Sequence, residues 1–292
     1  MGQSDTILKP VQYLKGVGPR RAEGFKRLGI LTVRDLLNHF PRDWQDRRVP
    51  MDLSVPVADP RAVVRGRVLR AGAFPAGPRM TLFKAVLATP TGEIAALWFK
   101  HASRRYDVFA TLKREVVPDA ELWLVGRCEP SLVGASEIHV DEFYPAHAPR
   151  AFLHVERLVP LYDLTEGIKQ RLLRELLWDA LGETSSSLRE TLPQKLLQER
   201  RLLAYPQALR SIHFPGSPLE LTAARERLAY EELLLLELAW LLKRRQTKDL
   251  SKNYSYEIKT SLLTPFRQQL GFEMTRAQKR VIRDDMLFPI QL

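Results

Sequence analysis

The sequence holds a single cysteine, Cys128, which excludes an intrachain disulfide and any zinc cluster built on cysteines, and which fits a reducing, cytoplasmic setting. It contains no G-x-x-x-x-G-K-[ST] stretch and no glycine after Gly271. Nothing in it can therefore cradle nucleotide phosphates on backbone amides while supplying a lysine and a Mg²⁺-binding hydroxyl, so this chain alone is expected to be inert as an ATP hydrolase. Long apolar runs are also missing. The most apolar segment, Leu233–Leu242, contains Glu237 and has about half the length of a membrane span. Met1-Gly2-Gln3-Ser4-Asp5 shows no basic region leading into an apolar run, so no signal peptide is read there. His39, His101, His139, His147, His154 and His213 stand at no ligand spacing from cysteine or carboxylate, which argues against a structural zinc site. His213, before Phe214-Pro215, reads as a packing or loop residue, and no Ser/His/Asp set or carboxylate pair stands out. Acid is in deficit: 34 Asp and Glu face 45 Lys and Arg, a net charge of +11. That surplus points to a polyanionic partner, nucleic acid before an anionic membrane surface.

What is present falls into zones. Residues 6–40 read as short helices around Gly16-Val17-Gly18-Pro19, with Ala22, Phe25, Leu28, Ile30, Leu36 and Leu37 as an apolar face. Gly16 and Gly18 suit the positive φ of a tight turn and Pro19 the first position of a helix, a helix-hairpin-helix pattern. The amides opening its second helix can face a phosphate, with Lys15, Arg20, Arg21, Lys26 and Arg27 nearby; a plain helix start with solvated cations is the alternative. From about 60 to 145 the period changes to that of strands: Ala62–Leu69, Met80–Thr89, Glu93–Phe99, Leu122–Cys128 and Glu137–Tyr144. Helical spacing appears only at Ala102–Leu112, between the third and fourth. Five strands with a helix there is the order of an OB-fold, whose common task is oligonucleotide binding. Arg61, Arg65, Arg67 and Arg70 lie on or beside the first strand in a stretch without acid. Arg65 and Arg67 share a strand face and can track a phosphate backbone, or simply form a solvated outer face.

Further along, Leu158-Val159-Pro160-Leu161-Tyr162 reads as entering a loop, Ile168–Leu181 as a helix closed by the polar break Glu183–Ser187, and Pro193 toward Leu203 as a shorter helix. Leu221 to about Arg245 predicts the longest helix, apolar on most sides and so buried on several faces, with Glu231-Glu232 as its polar edge. Near the end, Gly271-Phe272-Glu273-Met274-Thr275-Arg276-Ala277-Gln278 looks like the lead-in to a nucleotide-binding domain. A glutamine just inside a helix, after an aromatic and a threonine, suits adenine: the amide can donate to and accept from the base edge while the ring stacks. Phe272, Thr275 and Gln278 are the candidate cofactor-binding residues. The fold class expected is α+β: a helical region over 1–58, an OB-like barrel over 59–146, a mostly helical linker over 147–265 and the start of a further domain over 266–292.

In this order the blocks Leu14-Lys15-Gly16-Val17-Gly18-Pro19, Asp35-Leu36-Leu37-Asn38-His39-Phe40-Pro41-Arg42, Pro160-Leu161-Tyr162-Asp163-Leu164-Thr165-Glu166-Gly167, Ala208-Leu209-Arg210-Ser211-Ile212-His213-Phe214-Pro215 and Arg227-Leu228-Ala229-Tyr230-Glu231-Glu232-Leu233-Leu234, followed by Met274-Thr275-Arg276-Ala277-Gln278, carry a resemblance. From about Leu14 onward the chain resembles the N-terminal half of the RecG family of ATP-dependent DNA helicases, which remodel stalled forks and Holliday junctions. The resemblance implies that the barrel is a wedge splitting the duplex at a branch point, while two motor domains, which use ATP and Mg²⁺, pull the DNA against it. Two departures stand out: Ile138-His139-Val140-Asp141 occupies a place where relatives often carry Met-His-Pro, and no motor domain follows before Leu292. The resemblance also implies aromatic rings against the bases at the fork. Phe99 and Tyr106 are the candidates, beside the cations Lys100, Arg104 and Arg105, and alternation should bury one of Trp98 and Phe99 in the barrel. The partners expected are branched DNA and the missing motor domains, with no membrane, and the chain itself a monomer. A truncated gene product without a role of its own, or an OB-type single-strand binder acting alone, are the other readings.

Overall fold

The computed structural model describes residues 5–53, 61–103, 105–129, 136–248, 265–266 and 268–280. Helices α1 (Asp5–Leu8), α2 (Pro19–Arg27) and α3 (Val33–Leu37) come first, then the short strand β1 (Asp43–Asp46). Five long strands follow: β2 (Arg61–Pro75), β3 (Met80–Thr89), β4 (Gly92–His101), β5 (Glu121–Glu129) and β6 (Ser136–Pro145), with helix α4 (Ala110–Glu115) between β4 and β5. Strand β7 (Leu158–Leu161) and helices α5 (Gln170–Thr184), α6 (Gln194–Arg200), α7 (Tyr205–His213) and α8 (Pro218–Lys248) complete the list. The fold is α+β, as expected. The chain forms two compact units, Met1–Tyr230 and Glu231–Leu292, and α8 contributes to both.

Strands β2 to β6 close into a barrel of order β2-β3-β4-β6-β5, in which β4 and β6 run parallel and the other pairs are antiparallel. With α4 after the third barrel strand, this is the OB arrangement. Alternation fills the interior with Phe83 and Leu87 from β3, Ile94 and Trp98 from β4, Leu122 and Leu124 from β5 and Ile138 from β6. Phe83 meets Trp98 edge-on at 5.9 Å and Phe109 at 5.5 Å between ring centroids, the offset geometry aromatic quadrupoles favour. Closure depends on a glycine. At the register shift between Val125 and Gly126, a Cβ on Gly126 would overlap the His139 carbonyl of the neighbouring strand.

The helical residues before and after the barrel share one core: Val11, Phe25, Ile30, Leu36 and Leu37 pack with Leu153, Tyr162, Leu173, Leu177 and Leu209. The barrel is thus an insertion into a helical frame. Strands β1 and β7 mark the junction, pairing antiparallel from Asp43↔Leu161 to Asp46↔Leu158. Just beyond them lies a buried polar knot. One oxygen of Glu142, on β6, accepts from Arg47 at 3.0 Å, from Arg174 of α5 at 3.0 Å and from the Tyr144 hydroxyl at 2.6 Å. Arg47 also donates to the His154 carbonyl at 2.9 Å and Arg174 to the Pro160 carbonyl at 3.1 Å. Burial alone would raise the Glu142 pKa, but Arg174 and Arg47 hold it down to about 2. The His154 ring stacks on Tyr144 at 4.5 Å, and burial beside Arg174 lowers its pKa to about 3. In the frame, His213 accepts from the Tyr162 hydroxyl through Nδ1 (3.0 Å) and donates through Nε2 to the Leu37 carbonyl (2.8 Å), a neutral packing histidine that burial holds near a pKa of about 4.

Several expectations need correction. Gly16 has φ +91° as required, but Gly18 is extended and serves as the N-cap of α2. The element before that turn is a single 3₁₀ turn, Val11–Tyr13, so the helix-hairpin-helix is incomplete. Barrel strand β2 runs past Leu69 to Pro75, because Ala71, Gly72 and Ala73 still pair with β3 despite their poor strand preference. The helix expected over Ala102–Leu112 forms only at Ala110–Glu115. Asp107 accepts from the Phe109 amide at 2.9 Å and Lys100 donates to the Val108 carbonyl at 2.8 Å, closing a turn that competes with helix. Leu158–Leu161 is a strand rather than a loop, and its Pro160 is tolerated because the two-stranded sheet has only edges. Burial of α8 on several faces holds for Ala224, Arg227 and Leu228, whereas Leu233, Leu236, Trp240 and Leu242 are exposed.

Two outcomes follow. An unfolded glutamate near pKa 4.5 binds protons more readily than Glu142 at about 2, so its contribution, about 3 kcal/mol, is complete above pH 4.5 and lost as pH falls toward 2. His154 and His213 act in the same direction from pH 6.5 downward, since only the unfolded imidazoles protonate there. Thermal melts should therefore show stability falling below about pH 6.5, with Glu142→Gln flattening the part below pH 4.5; a pH-independent melting temperature between 7 and 4 would contradict this. Gly126→Ala should destabilise the barrel by about 1–3 kcal/mol through overpacking, read as a lower denaturant midpoint at unchanged slope.

Candidate nucleic-acid interface

Strand alternation decides which barrel side chains face outward. Trp98 points inward and is buried, while Phe99 lies on the outer face with 46% of its surface exposed. Its ring stacks on that of His139 from β6, 5.7 Å away and 16° from parallel. The strand register is the reason, since Leu97 lies opposite His139 and places Phe99 one step further along the same face. Tyr106, in the loop after β4, is 70% exposed. Lys100 lies 5.6 Å from the Phe109 ring centroid and bonds to the Val108 carbonyl, so its ammonium ties this loop to the end of β4. Arg105 is exposed, with its amide on the Ser103 hydroxyl at 3.2 Å. Arg104 lies outside the described residues. The end of β4 and the loop after it thus carry Phe99, Lys100, Arg105 and Tyr106 within eight residues, with Phe99 on the outer face and Lys100 turned to the Phe109 side.

Other sequence candidates lie apart from this end. On β2, Arg65 is held by Glu121 at 2.9 Å and Glu156 at 3.4 Å and lies over the Trp123 ring at 5.4 Å. Its hydrogen bond to Glu121 raises its pKa, and its charge is largely answered within the protein. Arg67 is exposed. In the helical frame, Lys15, Arg20 and Arg21 surround the turn into α2, where Arg21 donates to the Gly16 carbonyl at 2.6 Å and so closes the turn itself. Arg27 reaches the Glu166 carbonyl at 2.9 Å. In the second unit, Phe272 is 62% exposed, and Thr275 and Gln278 form a reciprocal cap: the Thr275 amide donates to the Gln278 side chain at 2.8 Å and the Gln278 amide to the Thr275 hydroxyl at 3.3 Å.

The motif reading missed residues that only the register reveals. Phe74 lies opposite Leu82, and Leu82 opposite Phe99, so the three share one row of the outer face. The next row holds Gly72, Lys84, Leu97, His139 and Arg127. Phe74 follows Ala-Gly-Ala and precedes Pro75, a context that hid the strand and with it the ring. Among the described residues no group of three His, Cys, Asp or Glu side chains is placed to hold a metal ion, and no helix is long and apolar enough to cross a membrane.

Comparison with known proteins agrees with this architecture. The RecG wedge domain family matches residues 10–184. The chain is 33% identical to the ATP-dependent DNA helicase RecG of Thermotoga maritima, over 98% of this chain and 36% of that protein. Against RecG of Escherichia coli K12 the identity is 28%, over 94% of this chain and 39% of that protein. The chain thus spans little more than a third of the length of these relatives. A solved structure of RecG bound to a three-way DNA junction superposes with a TM-score of 0.72 at 33% identity, covering 98% of this chain and 38% of that one. The inserted barrel, its frame and the matched residues together place this chain in the RecG wedge domain family.

Proposed function

We propose that this chain is the branched-DNA-binding portion of a RecG-type ATP-dependent DNA helicase, engaging replication forks and Holliday junctions in DNA repair and recombination. The observation that carries the reading is the end of β4 and its loop, where the exposed rings of Phe99 and Tyr106 and the cations Lys100 and Arg105 fall within eight residues on an OB-type barrel of a chain with net charge +11. Exposed rings give bases a stacking surface and cations hold phosphates, the two requirements for gripping a strand at a branch. The wedge corresponds to residues 59–146, preceded by a helical region over 1–58 and followed by a mixed, mostly helical linker region over 147–265. Residues 266–292 begin a motor domain, in which Phe272, Thr275 and Gln278 meet the adenine of ATP; Mg²⁺ and the phosphates belong to the motor parts of the longer relatives. The protein acts as a cytoplasmic monomer.

The electrostatic and stacking contributions separate experimentally. Titration against fork and duplex oligonucleotides of equal length, at two salt concentrations, should show tighter binding to the fork and steep weakening with salt. Equal affinity for fork and duplex would sink the junction reading, and a preference for unbranched single strands would replace it with a stand-alone single-strand binder. Phe99→Ala with Tyr106→Ala should reduce the preference for forks by about 1–3 kcal/mol and leave duplex affinity nearly unchanged. Arg67→Ala with Arg105→Ala should instead weaken all DNA alike and reduce the salt slope. Because Phe99 is exposed and Trp98 buried, Phe99→Ala should melt close to the unmodified protein, while Trp98→Ala should lose about 3–5 kcal/mol.

A further inference from the structure

The row Phe74–Leu82–Phe99 is not used by the fold. The barrel interior is filled by Phe83, Trp98, Phe109 and their neighbours, and the outer row contributes nothing to it. Phe74 remains 52% exposed and Phe99 46% exposed, with half-buried Leu82 between them. Directly opposed side chains on a sheet stand about 5 Å apart, so the three form a continuous apolar band, and the His139 ring behind Phe99 extends it to a fourth strand. At about 4.8 Å per strand the band is roughly 15 Å long. Its outer ring has a prepared seat: Gly72 lacks a Cβ where one would lie 3.3 Å from the Phe74 ring. Exposed rings joined by an apolar side chain in one row are the kind of apolar patch that marks a contact surface.

Charge selects the occupant. On the same face, Arg127 is exposed opposite His139 in the row next to the band and Arg70 is exposed one row further on, while Lys84 is paired with Glu137 at 3.4 Å and His139 lies 3.9 Å from Glu129. A second copy of this chain would bring its own net charge of +11 against these arginines. A single nucleic-acid strand brings phosphates for the arginines and flat base faces for the rings. Resting on the junction-binding reading above, we infer that this band is a second stacking step, which takes bases of a single-stranded arm leaving the branch point across the β2–β3 side of the barrel. Phe74 is its outer ring, and His139 is the support that holds the Phe99 ring in place.

The test uses the whole chain and two forks, one with a single-stranded arm and one with both arms duplex. Phe74→Ala should lower affinity for the first fork about 5- to 100-fold and leave the second nearly unchanged, and Phe74→Trp should restore it. With 2-aminopurine placed along the single-stranded arm, fluorescence quenching at one position should disappear in Phe74→Ala. Phe74 is exposed, so its variants should keep the melting temperature of the unmodified chain. A folded Phe74→Ala that binds both forks like the unmodified chain overturns the inference and leaves the junction reading standing. Loss of self-association in Phe74→Ala, without loss of fork binding, overturns it in favour of a second copy. If the unmodified chain does not distinguish forks from duplex, the junction reading fails first and this inference with it.

Discussion

One carboxylate oxygen joins the parts of the first compact unit. Glu142 lies near the end of the last barrel strand and receives donors from Arg47, which precedes the barrel, and Arg174, which follows it on α5. Both guanidinium groups are almost wholly buried, a placement tolerated only when the opposite charge and several hydrogen bonds accompany it. Such a knot adds little net stability over a hydrophobic contact of equal size, but it is exacting about geometry. A rotation of the barrel on its frame would leave two buried cations unanswered, at several kcal/mol each. The knot therefore fixes orientation more than it adds adhesion. The wedge action proposed above would need that property, because a domain pressed against a branch point transmits force only if it cannot swivel.

The insertion makes this constraint necessary. The barrel interrupts a single helical core, so two chain crossings connect it to the frame, and both run beside the β1–β7 ladder. Arg47 continues that ladder by exchanging backbone hydrogen bonds with its opposite side, donating to the Arg157 carbonyl and accepting from the Glu156 amide. Arg65 adds a bridge from β2 to Glu156 on the same side. The root of the barrel is polar and specific, while the face with Phe99 and Phe74 is apolar and exposed. Rigidity and the proposed contact surface thus occupy different parts of one small domain.

Local pattern made much of this legible. The barrel strands announce themselves by alternation, α5 and α8 by helical spacing, and the burial of one of Trp98 and Phe99 by their adjacency in a strand, though not which of the two. What stayed hidden depends on distant partners or on turn chemistry. Strand β7 contains a proline and finds its partner more than a hundred residues away, so nothing local identifies it. The helix read from Pro193 toward Leu203 stops earlier, at Arg200, because Arg201 takes the left-handed region, and helix α7 starts afresh at Tyr205-Pro206. The Glu142 knot was invisible because its members are scattered across the sequence and each, taken singly, looks like a surface charge. The outer row of Phe74 was missed because a ring's exposure follows from register, which only the folded sheet supplies.

Polar residues that motif reasoning assigns to ligands also hold the fold together here. Lys100 closes its loop, Arg21 its turn, and Gln278 caps the helix that carries it. These roles differ in what they leave over. The ammonium of Lys100 has three donors and the guanidinium of Arg21 five, so one internal bond fixes the position of each cation without using up its capacity. Gln278 accepts its cap bond on an oxygen that has two lone pairs, which leaves one acceptor direction and both amide N–H donors. A base edge read by a side-chain amide needs one of each. The cap is therefore compatible with the adenine contact proposed above: it already holds the amide in one orientation, so under that proposal the rotamer entropy of this long side chain would be spent in folding and not lost again on binding.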